Sequence, residues 1–311
     1  MSEASGKSGG IEKLMGYVAI LIVGMLSFSG LPAWAAKAPD PLQSDPPTID
    51  EAFPPAMLET RFQVDGSQLN AIHYLAGGPG PHPTVVLLHG YPGNEKNLDL
   101  AQALRRGGWN VFFFHYRGAW GSEGNFSLLG ALDDVVAAVG FLKGSGEAFR
   151  VDKEHLALVG HSMGGFMALA GGTRLPDMAC VAGISAADIG GFGAILAADP
   201  EAATGFAAYA ELQVMLAGHD ASNAVRHIIE AGEKYPLEVL ARGLGGRHVL
   251  LIAGKRDRAV PLSVHISMVE AFEKAGTIKL ETVVLDADHP YSWQRVALAR
   301  TIAGWLDQNC R

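Results

Sequence analysis

Cysteine is scarce in this 311-residue sequence, which contains only two. No Cys or His pair has the spacing of a zinc site, and no acidic loop has the pattern of an EF-hand. We therefore predict no metal site and no other cofactor. We interpret Cys180, in an apolar run, as a small buried hydrophobe, and Cys310, beside the C-terminus, as mobile. A disulfide between them is possible, although nothing in the sequence supports one.

The sequence also lacks any long basic run, and its formal net charge is −8. A protein that binds nucleic acid through phosphates needs clustered Lys and Arg, so we exclude nucleic acid as a partner. Apolar residues make up 49% of the chain, which is enough for a sizeable buried core. The 39 glycines fit a fold with many tight turns between strands and helices.

The N-terminus has the pattern of an export signal. Lys7 and Lys13 precede or flank an uncharged, largely apolar run at 15–31, and Ala33-Trp34-Ala35 then places small residues where a signal peptidase reads them. We expect residues 1–35 to be a signal peptide, export to the periplasm or the medium, and no stable membrane span after cleavage. The alternative is an uncleaved anchor, because the run is near the lower length limit for crossing a bilayer.

The rest of the chain divides by composition. Residues 36–57 carry six prolines and are predicted to be an extended linker. Residues 58–311 are predicted to form one domain with an insertion at about 187–246. This insertion is rich in Ala and Gly, looks helical, and is far longer than a normal crossover needs, so we expect it to cap the end of the sheet. The alternative is a crossover helix with a long loop.

Short apolar runs alternate with helical segments from about Leu58 onward. Runs at 59–64 and 69–75 flank Asp65-Gly66 and are predicted to form an antiparallel hairpin. The later runs are continuously apolar, as expected for strands buried on both faces of a sheet. The alternation predicts an α/β fold with a mainly parallel sheet and helices on both faces. Later strands are predicted at 84–88, 111–116, 155–159, 179–184, 249–253 and 280–285, and helices at 97–106, 128–143 and 296–307.

The strongest chemical signal is Gly160-His161-Ser162-Met163-Gly164, which follows a predicted strand and precedes a helix. A G-x-S-x-G sequence in this context is typical of a sharp turn that exposes a nucleophilic serine. The glycines are expected because flanking chains pass too closely for side chains. We predict Ser162 as the nucleophile, and we expect the side chain of His161 to point elsewhere.

A serine hydroxyl needs a base to accept its proton, and that base needs a carboxylate to orient it. His289 follows the last predicted strand and is preferred to His248 and His265, which fall before or within regular elements. Asp257 follows the strand at 249–253 and is the predicted acid. The rival is Asp188, which follows an earlier strand. The order of serine, acid and histidine is the one expected for this fold.

Two backbone donors are predicted for the oxyanion that forms during acyl transfer. One is the amide of Met163, directly after the nucleophile, and the other is the amide of Tyr91, in the loop after the strand at 84–88. The hydroxyl of Tyr91 is either a further donor or part of a packed aromatic wall.

These motifs resemble the α/β-hydrolase superfamily over about residues 60–308. The resemblance rests on the loop at 89–93, the segment Tyr116-Arg117-Gly118 with Ser122 and Gly124, the serine turn at 160–164, and the late acid and histidine. Within the superfamily the chain is similar to the prolyl-oligopeptidase-like and esterase branches. It has no N-terminal propeller, which argues against an oligopeptidase, and no His-Gly-Gly-Gly loop, which one lipase and esterase branch carries.

The resemblance implies a serine hydrolase acting by two-step acyl transfer on a small-molecule ester or a short peptide, and we favour a carboxylic ester. A small exopeptidase is the first alternative, and it would need a carboxylate of the insertion, Glu201, Glu211 or Glu230, to hold a peptide amine. A non-catalytic binding module is the second. Haloalkane dehalogenases and epoxide hydrolases use Asp where this chain has Ser162. The insertion offers apolar residues for an acyl pocket or for its own core: Phe192, Ile195, Leu196, Phe206, Tyr209, Leu212, Met215 and Leu216.

Overall fold

The computed structural model describes residues 40–311. The predicted signal peptide lies outside the described residues, and 40–55 contains no helix or strand. The strands are β1 (Ala56–Val64), β2 (Ser67–Leu75), β3 (His82–Leu88), β4 (Asn110–Phe114), β5 (Val151–His161), β6 (Cys180–Ile184), β7 (His248–Gly254) and β8 (Lys279–Leu285). The helices are α1 (Leu98–Arg106), α2 (Leu128–Gly144), α3 (Met163–Arg174), α4 (Ile189–Ala198), α5 (Pro200–Glu211), α6 (Ala221–Lys234), α7 (Leu237–Gly243), α8 (Leu262–Ala275) and α9 (Arg295–Asn309).

The eight strands form one sheet in the order β1-β2-β4-β3-β5-β6-β7-β8. Strand β2 pairs antiparallel with β1 and β4, and the strands from β4 to β8 pair parallel. The chain order reverses at β3, because β4 lies on one side of β3 and β5 on the other. In open α/β sheets, the crevice beyond the carboxyl ends of such neighbouring strands is where ligands bind. The loops after β3 and β5 therefore meet at the position expected for a site.

Both faces of the sheet are buried, as the continuous apolar runs predict. Along β3, Val85 and Leu87 pack with α1 and α9 on one face, whereas Val86 and Leu88 pack with α2 and α3 on the other. Alternate residues of a strand point to opposite faces, so a strand covered on both sides must be apolar at every position. The α/β fold class is confirmed.

Helix α8 lies between β7 and β8 and was not predicted with its own bounds, although His265 was assigned to a regular element there. The insertion between β6 and β7 comprises four helices, α4 to α7, rather than one crossover helix. In residues 40–311 no helix is both long and apolar enough to cross a membrane.

Cys180 is buried as predicted, whereas the interpretation of Cys310 as mobile is wrong. Cys180 opens β6, an interior strand of the sheet, Cys310 follows α9, and the two form a disulfide with Cα atoms 6.0 Å apart. Cys310 is buried rather than mobile. Mobility was expected because Cys310 lies one residue from the C-terminus. Helix α9 instead packs against the sheet through Leu298, Ile302 and Trp305.

Replacing Cys310 with Ser is expected to lower the free energy of unfolding by about 2–5 kcal/mol, because the crosslink closes a long loop of the unfolded chain. Urea denaturation of the oxidised protein and the variant would measure the change. Reductant should destabilise the wild type to a similar extent and leave the variant unaffected. Equal denaturation midpoints for the oxidised wild type and the variant would contradict a stabilising disulfide.

Candidate active site

Ser162 lies in the turn between β5 and α3 and has a left-handed backbone, with a φ of 58°. Strain of this kind is concentrated at functional sites. Backbone atoms leave no room for a side chain at the glycines on either side of the serine. A methyl group on Gly160 would overlap the carbonyl of Gly164, and one on Gly164 would lie 2.6 Å from the carbonyl oxygen of His89. Glycine is therefore required at both positions, and the turn presents Ser162 to a cavity.

Asp257 and His289, which are 32 residues apart in sequence, are joined by a hydrogen bond. His289 Nδ1 donates to Asp257 Oδ2 over 2.7 Å, and the carboxylate side chain is fully buried. Ser162 and His289 line the same cavity. No hydrogen bond joins these two side chains within residues 40–311, and such contacts often tighten only when substrate binds.

The Asp257 carboxylate stays charged although it is buried. Burial raises its pKa, but hydrogen bonds from His289 and from the backbone N–H of Val260 outweigh this effect and bring the pKa below its usual value. The N–H groups of Ala259 and Val260 both donate to Oδ1, at 2.9 and 2.8 Å. The rival acid, Asp188, instead caps α4 by accepting from the N–H of Gly191. The structure thus brings Asp257, not Asp188, to the histidine.

Two buried hydroxyls that sequence analysis missed lie beside the acid. Ser185 and Tyr291 both have left-handed backbones, with φ of 43° and 58°, and their hydroxyl oxygens are 3.0 Å apart. Burial raises the pKa of Asp257, and the hydrogen bonds from His289 and Val260 lower it. The Ser185 hydroxyl makes a smaller contribution that also lowers this pKa. Ser185 directly follows β6, and a polar residue directly after a parallel strand is the sequence feature that could have identified it as a site residue.

His161, the variable residue of the serine turn, contacts the loop of His289 instead of pointing elsewhere. Its Nε2 donates to the backbone carbonyl of His289 over 2.9 Å, and the two rings lie 4.6 Å apart. Burial lowers the pKa of His161 to about 3, so this imidazole is neutral near pH 7. The serine turn therefore holds the backbone of the histidine loop.

The loop after β3 passes directly over Ser162. A methyl group on Gly90 would lie 2.9 Å from Cβ and 3.5 Å from Oγ of Ser162. His89 Nδ1 donates to the carbonyl of Gly90 over 2.8 Å and so fixes that peptide group. In a trans peptide the N–H points away from the C=O, which sets the direction of the Tyr91 N–H. Within residues 40–311 neither the Tyr91 nor the Met163 amide donates a hydrogen bond to the protein, and both residues line the cavity.

The Tyr91 side chain forms part of the cavity wall. Its hydroxyl is 3.1 Å from Nε2 of His219, and its ring packs against Phe206 and Tyr209 of α5. Burial raises the pKa of Tyr91 and lowers that of His219 to about 4, so both groups are neutral near pH 7. Of the two interpretations of this hydroxyl, the packed wall matches its contacts.

The cavity at Ser162 has a volume of about 680 Å³ and is mainly apolar. Four of the apolar insertion residues line it, whereas Leu196 and Leu216 are buried in the core and Leu212 is exposed. Ser263, Val264 and Ser267 of α8 also line the cavity. The four insertion residues are Phe192, Ile195, Phe206 and Tyr209.

The insertion carboxylates considered for an exopeptidase do not line this cavity. Glu211 accepts a hydrogen bond from the N–H of Ala221 at 2.9 Å, and Glu230 forms an ion pair with Arg226 at 2.9 Å. Glu201 is exposed on the first turn of α5. Asp188 is the carboxylate of the cavity wall, and its Oδ1 caps α4.

The sequence is similar to those of known proteins. The model of a family described as the alpha/beta hydrolase family matches residues 85–301. The chain is 38% identical over 88 residues to the uncharacterized protein YfhR of Salmonella typhimurium, covering 28% of this chain and 29% of that protein. It is 32% identical over 106 residues to YfhR of Escherichia coli, covering 32% of this chain and 36% of that protein. The matches thus span about a third of these relatives.

Solved structures share the fold. Est1E from Butyrivibrio proteoclasticus has a TM-score of 0.62 at 19% identity, with 80% of this chain and 98% of that chain covered. The Pyrococcus furiosus esterase Pf2001 has a TM-score of 0.59 at 18% identity, covering 86% and 100%. A putative dipeptidyl aminopeptidase IV from Bacteroides ovatus has a TM-score of 0.61 at 19% identity, covering 82% and 36%. At these identities the likeness is one of fold.

Proposed function

This chain belongs to the alpha/beta hydrolase family, and we propose that it is a serine hydrolase that cleaves carboxylic esters with an apolar acyl group. One observation carries the proposal: the imidazole bonded to the buried Asp257 carboxylate opens on the same cavity as Ser162. A serine at a strained turn, with an oriented base beside it, is the arrangement that makes an alcohol nucleophilic.

The proposed reaction has two steps. The Ser162 hydroxyl attacks the ester carbonyl and transfers its proton to Nε2 of His289, while the amides of Tyr91 and Met163 stabilise the oxyanion. The tetrahedral intermediate collapses, and the leaving alcohol takes the proton from His289. Water then attacks the acyl-enzyme and gives a proton to His289. The acid leaves, and Ser162 recovers its proton.

The cavity favours an ester over a peptide with a free amine. Holding a peptide ammonium group needs a carboxylate in the cavity. The three insertion glutamates lie outside the lining, and Asp188, which lines it, already uses one oxygen to cap α4. The aromatic and aliphatic wall instead suits an uncharged acyl chain. The Pyrococcus furiosus protein Pf2001, which is described as an esterase, is consistent with this choice, although it shares only the fold.

A series of p-nitrophenyl esters with acyl chains from acetate upward tests the proposal. We expect kcat/KM to rise by up to about fourfold per added methylene until the cavity is filled, because each buried methylene contributes about 0.8 kcal/mol. A fluorophosphonate probe should label the wild type and not Ser162→Ala. Dominant cleavage of aminoacyl-nitroanilides would favour the exopeptidase, and no labelling with no turnover would favour the binding module.

We also infer that the protein is exported. The disulfide between Cys180 and Cys310 supports this, because stable disulfides are typical of oxidising compartments. N-terminal sequencing of the mature protein is expected to begin at Ala36. A mature chain that still begins near Met1 would favour the uncleaved anchor, and a reduced protein in the cytoplasm would contradict export.

A further inference from the structure

A second recess borders His289 next to the acyl cavity. It has a volume of about 450 Å³, and Arg256, Arg258, Asp288 and Trp293 contribute to its lining. It shares Ala259 and His289 with the acyl cavity, so the two are neighbours along the imidazole. Ser162 and Met163 line the acyl cavity but not the recess, so the recess borders His289 and not the nucleophile.

Among the charged groups of this recess, Arg256 has an ionic partner, Asp288 is held by neutral donors and keeps its charge, and Arg258 has no partner in the part of the chain that the structure describes. Arg256 is neutralised by Asp286, with contacts of 2.6 and 2.8 Å. Both carboxylate oxygens of Asp288 accept hydrogen bonds from Ser292, one from its N–H and one from its hydroxyl, each at 2.7 Å. Within residues 40–311 the Arg258 guanidinium makes no ion pair or hydrogen bond, and it is exposed.

Trp293 gives the recess an aromatic surface that is held in place. Its Nε1 donates to the backbone carbonyl of Asp286 over 2.6 Å, although 54% of the residue is exposed. A planar group can stack on an exposed indole ring of this kind. The recess therefore combines a fixed aromatic face with an available guanidinium.

The position of the recess relates it to the leaving group. In the proposed reaction His289 gives its proton to the departing alcohol, so that alcohol must lie against the imidazole, while the acyl chain occupies the cavity at Ser162. We propose that the recess is the leaving-group subsite and that it binds an aromatic alcohol carrying a carboxylate, with the ring on Trp293 and the carboxylate on Arg258. This inference rests on the proposed ester hydrolysis.

Two esters of one acid test it: the butanoate esters of 3-hydroxybenzoate and of 3-hydroxybenzamide, which differ in charge but little in shape. The Arg258→Gln variant is expected to lower kcat/KM for the anionic ester about fivefold, the effect of one exposed ion pair, and to change the neutral ester less than twofold. High salt should lower the wild-type preference in the same way. The matched control is Lys255→Gln, which removes a nearby exposed cation outside the recess lining and should leave the ratio unchanged.

A second variant tests the aromatic face. Trp293→Leu is expected to lower kcat/KM about fivefold for both aromatic esters and to leave ethyl butanoate unchanged. If the wild type hydrolyses the neutral ester but Arg258→Gln and Lys255→Gln change the ratio equally, or not at all, the subsite is wrong and the esterase proposal stands. If the wild type hydrolyses none of the three esters, the proposed function itself is wrong.

Discussion

Replacing Asp257 with Asn is expected to lower kcat for p-nitrophenyl butanoate by about 10⁴-fold. The carboxylate accepts from Nδ1 of His289 and thereby keeps the proton on that nitrogen, which leaves Nε2 free to accept the proton of Ser162. An asparagine amide group facing Nδ1 would donate instead of accept. The imidazole would then carry its proton on Nε2 and could not act as the base.

The matched control is Asp188→Asn, because Asp188 is the rival acid and lines the same cavity. Asparagine also caps helices well, so this variant should keep α4 and change kcat only a few-fold. Steady-state kinetics, with circular dichroism to check folding, would measure both variants. A loss of less than tenfold in Asp257→Asn, or a larger loss in Asp188→Asn, would contradict the assignment of the acid.

The sequence was informative where a residue's function depends on its own neighbours. The serine turn needs two glycines within two residues of Ser162, and the loop after β3 approaches it through Gly90, so both appear as short motifs. His289 and Asp257 could be ranked because each follows a parallel strand and the carboxyl ends of these strands lie at one edge. Their roles as base and acid stay predictions until they are tested.

The parts that were missed depend on contacts between distant segments. Ser185 and Tyr291 are 106 residues apart and meet only because β6 and β8 end at the same edge of the sheet. Cys180 and Cys310 are separated by 130 residues, and their pairing follows from the docking of α9 against the central strands. No local pattern distinguishes such a hydroxyl or thiol from an ordinary buried residue, so the partners of these groups could be identified only from the folded structure.

Gly164→Ala is expected to destabilise the protein by about 3 kcal/mol or more. The new methyl group would lie 2.6 Å from the carbonyl oxygen of His89 and would overlap the carbonyl of Leu88. These are backbone atoms at the end of β3, so no side-chain rotation relieves the contact, and either α3 or the strand end must move. The control is Gly140→Ala in α2, where the methyl group meets nothing within 4 Å and should stabilise the helix by about 0.5–1 kcal/mol.

The two alanine substitutions thus have opposite expected signs, which urea denaturation would resolve. The atoms that Gly164→Ala displaces also lead into the loop carrying the Tyr91 amide, so any variant that still folds should lose ester hydrolysis as well. Loss of one oxyanion donor typically costs about 10²–10³-fold in kcat. A Gly164→Ala variant with wild-type stability and wild-type kcat would show that the turn at Ser162 is not closely packed against the end of β3. The requirement for glycine, and the placement of the oxyanion loop that depends on it, would then be wrong.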